Sequence, residues 1–218
     1  GKLQVKRKAK IIYSSLHEDD GHEKVIRLLS AYAYACSEEN ASGAIIVTSP
    51  TCGSSGVLAS ALYYYYHDKN TPIEKIIAAL KVGGLIGNVI KHNASIAGAY
   101  AGCQSEIGSA CSMAAAAICF LEGGNIKQIE YASEIAMEHH LGLTCDPVEG
   151  MVQIPCIERN AVATLRAFDA AYLATILSSL SQVSFDTVVE TMYQTGKDLK
   201  NAYKETSKGG LAKYFFHK

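Results

Sequence analysis

A mainly α, multi-helix domain is expected from this chain of 218 residues, on three observations. Apolar residues recur at helical spacing or in alanine- and leucine-rich runs without a breaker. Glycine-rich turns and capping residues punctuate those runs. Only Ala44-Ile45-Ile46-Val47 has strand character, and one strand cannot make a sheet. Taken in chain order, Glu23–Cys36 carries Val25, Leu28, Leu29 and Tyr32 on one helical stripe, and Val57–His67 follows as an unbroken helix-forming run. Tyr63 to Tyr66 cover every side of one turn, so part of the run belongs in the core and part at an interface. Thr71-Pro72-Ile73-Glu74 reads as a capping box with proline at the first helical position, opening a helix from Pro72 towards Gly83, beyond which Gly83, Gly84 and Gly87 weaken it. Ser109–Leu121 is a second alanine-rich helix, Asn125 can cap Ile126–His140, and Ser184 can cap a helix running towards Tyr203. The alanine and glycine content lets such helices approach closely.

The length suits one domain, residues 1–218. With 49% hydrophobic and 19% charged residues, wholesale disorder is excluded. Twenty basic against 21 acidic side chains leave a net charge of -1, so no global field concentrates nucleic acid or anionic lipid, and neither is an expected partner. The longest apolar stretch, Met113 to Leu121, is less than half of the roughly 20 residues a membrane span needs. Arg166 and Asp169 interrupt the other candidate, Ala161–Leu177, so a soluble protein is expected. The basic start, Lys2 to Lys10, lacks a signal's apolar core and reads as a solvated face, which makes the cytoplasm the default location. Seven cysteines, an odd number without a secretory signal, argue against a disulfide framework and for thiols that are buried or bound to metal.

Four features could carry chemistry. Cys103, Cys145 and Cys156 lie in polar loops bounded by glycine or proline, whereas Cys36, Cys111 and Cys119 sit in helical runs as small hydrophobes. Loop thiolates suit a thiophilic metal or an iron–sulfur cluster, but these spacings are unlike zinc-ribbon pairs, and buried free thiols remain the alternative. The second feature, Ser49-Pro50-Thr51-Cys52-Gly53-Ser54-Ser55-Gly56 before a helix, offers backbone N–H groups to a carboxylate or phosphate, or is an ordinary capped turn; Cys52 is there a fourth loop thiol. Third, Lys91-His92-Asn93-Ala94-Ser95 shortly precedes the Cys103 loop. Fourth, Glu138-His139-His140 ends the helix leading to Cys145; the two histidines point about 100° apart, so at most one faces a common site.

The blocks Gly102–Ala115, Met137–Val148, Val152–Ala161, Lys91–Ile96 and Tyr203–Ala212 closely resemble the iron–sulfur-dependent L-serine dehydratases, in one order over nearly the whole chain. The resemblance implies a mostly helical catalytic domain in which Cys103, Cys145 and Cys156 hold three irons of a 4Fe-4S cluster and the fourth iron is left open to substrate. The implied reaction converts L-serine to pyruvate and ammonia without pyridoxal phosphate. An open iron acts there as a Lewis acid towards the β-hydroxyl and a carboxylate oxygen, while a base takes the α-proton. Ser95, His92, Glu106 and His139 are the candidate bases, by type and nearness to the cysteine loops. Ser49, Thr51, Gly53, Ser54, Ser55 and Asn93 are the candidates for binding the substrate's carboxylate and ammonium.

The chain also departs from that family. Its members often have asparagine in place of Cys52 and of His140, and glycine in place of Glu149. Many end in a cysteine that caps the open iron, where this chain has His217-Lys218; the tail is then non-inhibitory, or His217 is a weaker ligand. Family proteins carry an upstream regulatory domain and further catalytic residues, so a partner chain supplying them, or a fragment, is implied, together with a homo-oligomer. Competing readings are the same elimination on threonine or cysteine, a cluster-binding but catalytically incomplete subunit or redox-responsive protein, and a zinc site.

Overall fold

The computed structural model describes residues 2–15 and 21–215. Among them are ten α-helices: α1 Ala9–Ser14, α2 Gly21–Ala41, α3 Gly56–His67, α4 Ile73–Asn93, α5 Gly98–Ala101, α6 Ser109–Leu121, α7 Ile126–Glu138, α8 Cys156–Leu177, α9 Phe185–Asp198 and α10 Gly210–Tyr214. The described residues contain no strand; their isolated β-bridge pairs Cys145 with Lys204. Ala44-Ile45-Ile46-Val47 is irregular and lies on the surface, with Ile45 and Val47 exposed, because no second strand is at hand to satisfy its backbone. His217 and Lys218 lie outside the described residues.

The fold is built around α6. Every residue from Ser109 to Cys119 is buried, and α3, α4, α7 and α8 surround it. Alanine is what makes this possible: a row of methyl groups, Ala114 to Ala117, lets four neighbours close in on one axis. On α4 the approach is closer still. A Cβ built on Gly83 would stand 2.9 Å from the Met113 carbonyl oxygen, and one on Gly87 would stand 2.8 Å from the Met113 sulfur. The glycines expected to weaken this helix are its contact with α6, and packing there carries the helix on to Asn93 despite their entropic cost.

The run Ala161–Leu177 belongs to α8, which turns Ala161, Ala163, Ala167, Ala170, Ala171 and Ala174 inward against α2, α6 and α7. Gln104–Leu121 and Cys156–Leu180, with mean hydropathy 1.2, are long and apolar enough to cross a bilayer, contrary to the reading from uninterrupted apolar runs. The first is 83% buried in the fold and the second 39%, so for the first stretch packing against protein accounts for the apolarity. Phe185, Val188, Val189 and Met192 of α9 form a smaller cluster with Ile90, Ala101 and Met137.

Helix ends follow the capping residues in two cases of three. Asn125 and Gln128 exchange side-chain-to-backbone bonds at 3.1 and 2.9 Å, and Ser184 accepts from the Thr187 N–H at 3.1 Å. The Thr71–Glu74 box does not form: Pro72 is itself the N-cap, which leaves Glu74 one position short of the N3 site the box requires. α7 ends at Glu138 rather than His140, and α9 at Asp198 rather than Tyr203. Tyr64 and Tyr65 are buried against Phe168, while Tyr63 and Tyr66 are exposed.

Candidate metal centre

Three elements deliver the loop cysteines. Cys103 opens a π-helical turn, Gln104–Gly108, that leads into α6; Cys145 lies in the loop after α7; Cys156 is the first residue of α8. Such π-turns recur at functional sites, and this one turns Glu106 towards the thiols. The sulfurs of Cys103 and Cys145 and a carboxylate oxygen of Glu106 lie within 4.8 Å of one another. Cys156, buried as well, stands outside that group, yet near enough for charge on Cys103 and Glu106 to act on its thiol.

The loops are held in place by polar side chains that the sequence reading did not single out. Gln104, fully buried, donates to the Ala101 and Met192 carbonyls at 2.8 and 3.0 Å and accepts from the Gly142 N–H at 2.9 Å. It thereby joins the Cys103 turn to the approach of Cys145 and to α9. The Cys145 N–H donates to the Tyr203 carbonyl at 2.8 Å and its carbonyl accepts from the Glu205 N–H at 2.7 Å, so the chain's tail pairs with this loop. Gly98 backs onto the centre: a Cβ there would stand 2.8 Å from a Glu106 oxygen and 2.9 Å from the Cys145 sulfur.

The thiols differ electrostatically. A hydrogen bond from Cys145 holds the Cys103 thiol below its ordinary pKa against the effect of burial, with Arg159 assisting. Cys145 is pushed well up, first by that same bond to Cys103 and then by burial. Burial pushes Cys156 up to about 12. The helical thiols behave as expected of structural ones: Cys111 donates to the Ala163 carbonyl at 3.2 Å, and burial raises Cys119 to about 11. Cys36 is half-buried and Cys52 exposed.

The turn Ser49–Gly56 reaches the same place. Thr51 Oγ1 donates to Glu106 Oε1 at 2.7 Å, and Gly53 backs onto that oxygen. Burial raises the Glu106 pKa, and the Thr51 bond opposes the rise. The rest of the turn is largely satisfied internally: Ser54 bonds Thr51 at 3.0 Å and the Ser49 carbonyl at 3.3 Å, and Ser55 donates to the Cys52 carbonyl at 2.9 Å. The Gly56 N–H is taken by Asn160 at 3.0 Å. The buried Ser49 hydroxyl oxygen has no partner. Of the remaining candidates, His92 and Asn93 are exposed at the end of α4, and Ser95 accepts the Ala97 N–H at 3.1 Å, three residues before Gly98. His139 is exposed at the end of α7, its Nδ1 on the Ile135 carbonyl at 2.8 Å. Neighbouring His140 is buried, which lowers its pKa to about 4 and keeps it neutral.

Arg159 is the residue at the centre that sequence reasoning missed. A signal was there: a cation one helical turn beyond Cys156, on the same face of an apolar helix. Three thiols, a carboxylate and a guanidinium, all largely buried, fit a thiophilic metal group better than a hard cation, which would call for oxygen ligands.

A family model described as serine dehydratase alpha chain matches residues 1–212. The chain is 50% identical to the L-serine dehydratase TdcG of Escherichia coli (strain K12), over 97% of its own length and 48% of that protein. Against an L-serine dehydratase of Haemophilus influenzae the identity is 48% over 97% of the chain and 48% of the relative, and against one of Helicobacter pylori 48% over 98% and 48%. The chain thus spans about half the length of the curated relatives it matches.

Proposed function

Because the chain belongs to the serine dehydratase alpha chain family, we propose that it is the catalytic part of an L-serine ammonia-lyase, eliminating water from L-serine to give pyruvate and ammonia. The observation that supports this most is the meeting of Cys103, Cys145 and Glu106 in a buried centre. Cys103, Cys145 and Cys156 are the residues to hold a 4Fe-4S cluster. When bound, the cluster supplies a Lewis acid for departure of the β-hydroxyl, so the reading calls for no pyridoxal phosphate.

The chain's own residues do the rest. Glu106 is the candidate base that lies against the thiols, with Thr51 orienting its carboxylate, so it takes the α-proton. Thr51 and Gly53 form the wall of the turn facing that carboxylate, which makes them the part of Ser49–Gly56 that contacts substrate. Release of aminoacrylate completes the enzyme's part, since the imine it becomes hydrolyses in water. Residues 1–218 act as one catalytic domain in the cytoplasm, within a homo-oligomer and beside the remaining half that the relatives' length implies. The test is anaerobic reconstitution with iron and sulfide, followed by a pyruvate assay in the presence of the complementary half. Iron and sulfide uptake with serine-dependent pyruvate is expected. A chain that takes up zinc and no sulfide, or a loaded chain making no pyruvate with its complement, would overturn it.

A further inference from the structure

Arg159 binds the Cys145 loop on both sides of that cysteine. Its side chain is only 16% exposed, and it forms an ion pair with the buried Asp146, Nη2 to Oδ1 at 3.0 Å. Nη1 donates to the Thr144 carbonyl at 2.9 Å, and the guanidinium lies near enough for its charge to act on the Cys103 thiol. The second oxygen of Asp146 accepts the Leu211 N–H at 2.7 Å, at the start of α10. The consecutive residues Thr144, Cys145, Asp146 and Pro147 are therefore each held from outside the loop: Thr144 by Arg159, Cys145 by Tyr203 and Glu205, Asp146 by Arg159 and Leu211, and Pro147 by the Ser207 hydroxyl at 2.6 Å.

We propose that Arg159 is a positioning residue for the cysteine centre, holding the Cys145 loop from both sides of that cysteine and joining it, through Asp146, to the tail segment at Leu211. The inference rests on the cluster reading above. One side chain thereby bears on all three sulfurs: Cys145 through both of its neighbours, Cys156 through the shared first turn of α8, and Cys103 through its charge. Thiolates around an inorganic cluster concentrate negative charge in a buried place. Arginine suits that place because it stays protonated, and its planar fork serves several acceptors at once.

The experiment uses the full chain, reconstituted anaerobically, as parent, Arg159→Met and Arg159→Lys. It follows iron loss to a chelator, the cluster's midpoint potential, and helicity by circular dichroism. Arg159→Met is expected to lose iron roughly 10–100-fold faster, the usual effect of removing an outer partner of a metal ligand, with the potential moved to a more negative value. Arg159→Lys should restore most of the potential but only part of the retention, since an ammonium keeps the charge and loses the fork. Parent-like loss and potential in a folded Arg159→Met would overturn the proposal. So would faster loss with an unmoved potential, which is the mark of a packing defect alone. If Arg159→Met does not fold, parent-like retention in Arg159→Lys overturns it, and intermediate retention supports it. A parent that takes up no iron and sulfide overturns the cluster reading itself and this inference with it, a result distinct from a loaded parent with indifferent variants.

Discussion

Asn160 Oδ1 accepts the N–H of Gly56 at 3.0 Å, although 104 residues separate them. The same amide donates to the Gly53 carbonyl at 2.7 Å and to the Cys156 carbonyl at 2.9 Å. A fully buried side chain on α8 therefore fixes the turn that carries Thr51 and Gly53 to the first turn of the helix that carries Cys156. Asn160→Ala strands the Gly56 N–H and the Gly53 carbonyl away from water, while the Cys156 carbonyl keeps its helical partner. It is expected to lower unfolding stability by about 2–4 kcal/mol, given about 1–3 kcal/mol for each buried group left unsatisfied and some rehydration. Urea unfolding of the two proteins measures it. A loss no larger than the ~1 kcal/mol expected of the exposed cap variant Asn125→Ala would count against the lock.

Gly98→Ala separates the metal centre from the fold. The added methyl meets a Glu106 oxygen at 2.8 Å and the Cys145 sulfur at 2.9 Å, and both are side-chain atoms that can give way. The metal-free chain is thus expected to stay within about 1–3 kcal/mol of the parent, the usual cost of overpacking. Iron and sulfide bound after reconstitution should fall severalfold, because the displaced atoms are those of the centre. Full loading, with the parent's absorption spectrum, would refute the placement of the centre beside Gly98.

Local signals and non-local ones divided the legible from the illegible. α6 was read to its residue limits and the caps at Asn125 and Ser184 were found, because alanine propensity and capping chemistry are properties of neighbouring residues. The extension of α4 to Asn93 was missed, since only contact with Met113 shows why Gly83 and Gly87 are tolerated in a helix. The same holds at the site. Of the cysteines set apart by loop context, Cys103 and Cys145 come together with Glu106, whereas Cys156 is not in a loop but opens α8, because Pro155 ahead of it starts the helix there. Gln104 and Asn160 act through partners dozens of residues away, which no spacing rule displays, whereas Arg159 stood one helical turn from Cys156 and its partners became visible only when the Cys145 loop folded back onto α8.

On α4, adjacent glycines should answer alanine oppositely. A methyl at Gly83 would stand 2.9 Å from the Met113 carbonyl oxygen, a backbone atom of the central helix that cannot swing aside, whereas Gly84 has nothing within 4 Å. Gly84→Ala is expected to stabilise by about 0.5–1 kcal/mol through helix propensity. Gly83→Ala should destabilise by about 1–2 kcal/mol once overpacking is set against the same gain. Thermal or urea unfolding gives both signs. Stabilisation by both substitutions would mean that α4 and α6 are not held at this distance.

Glu134 makes the apo-protein's stability depend on pH. Its side chain is 2% exposed, and Oε2 has no hydrogen-bond partner. Burial, followed by the neighbouring Glu138 and Glu130 carboxylates, raises its pKa from 4.5 to about 7. The folded state therefore holds this proton more tightly than the unfolded chain does. Between pH 4.5 and 7 the native form binds more protons, so the Glu134 contribution to stability is fully present below 4.5, declines as pH rises, and is gone above 7. Glu134→Gln keeps the neutral shape at every pH and removes that decline. The variant should match the parent near pH 4.5 and exceed it by about 1–3 kcal/mol at pH 8, measured as the difference in urea unfolding free energy at the two pH values. A difference that stays constant with pH would show that the carboxyl titrates alike in both states, and one that favours the parent at pH 8 would mean that the ionised group has found a cation.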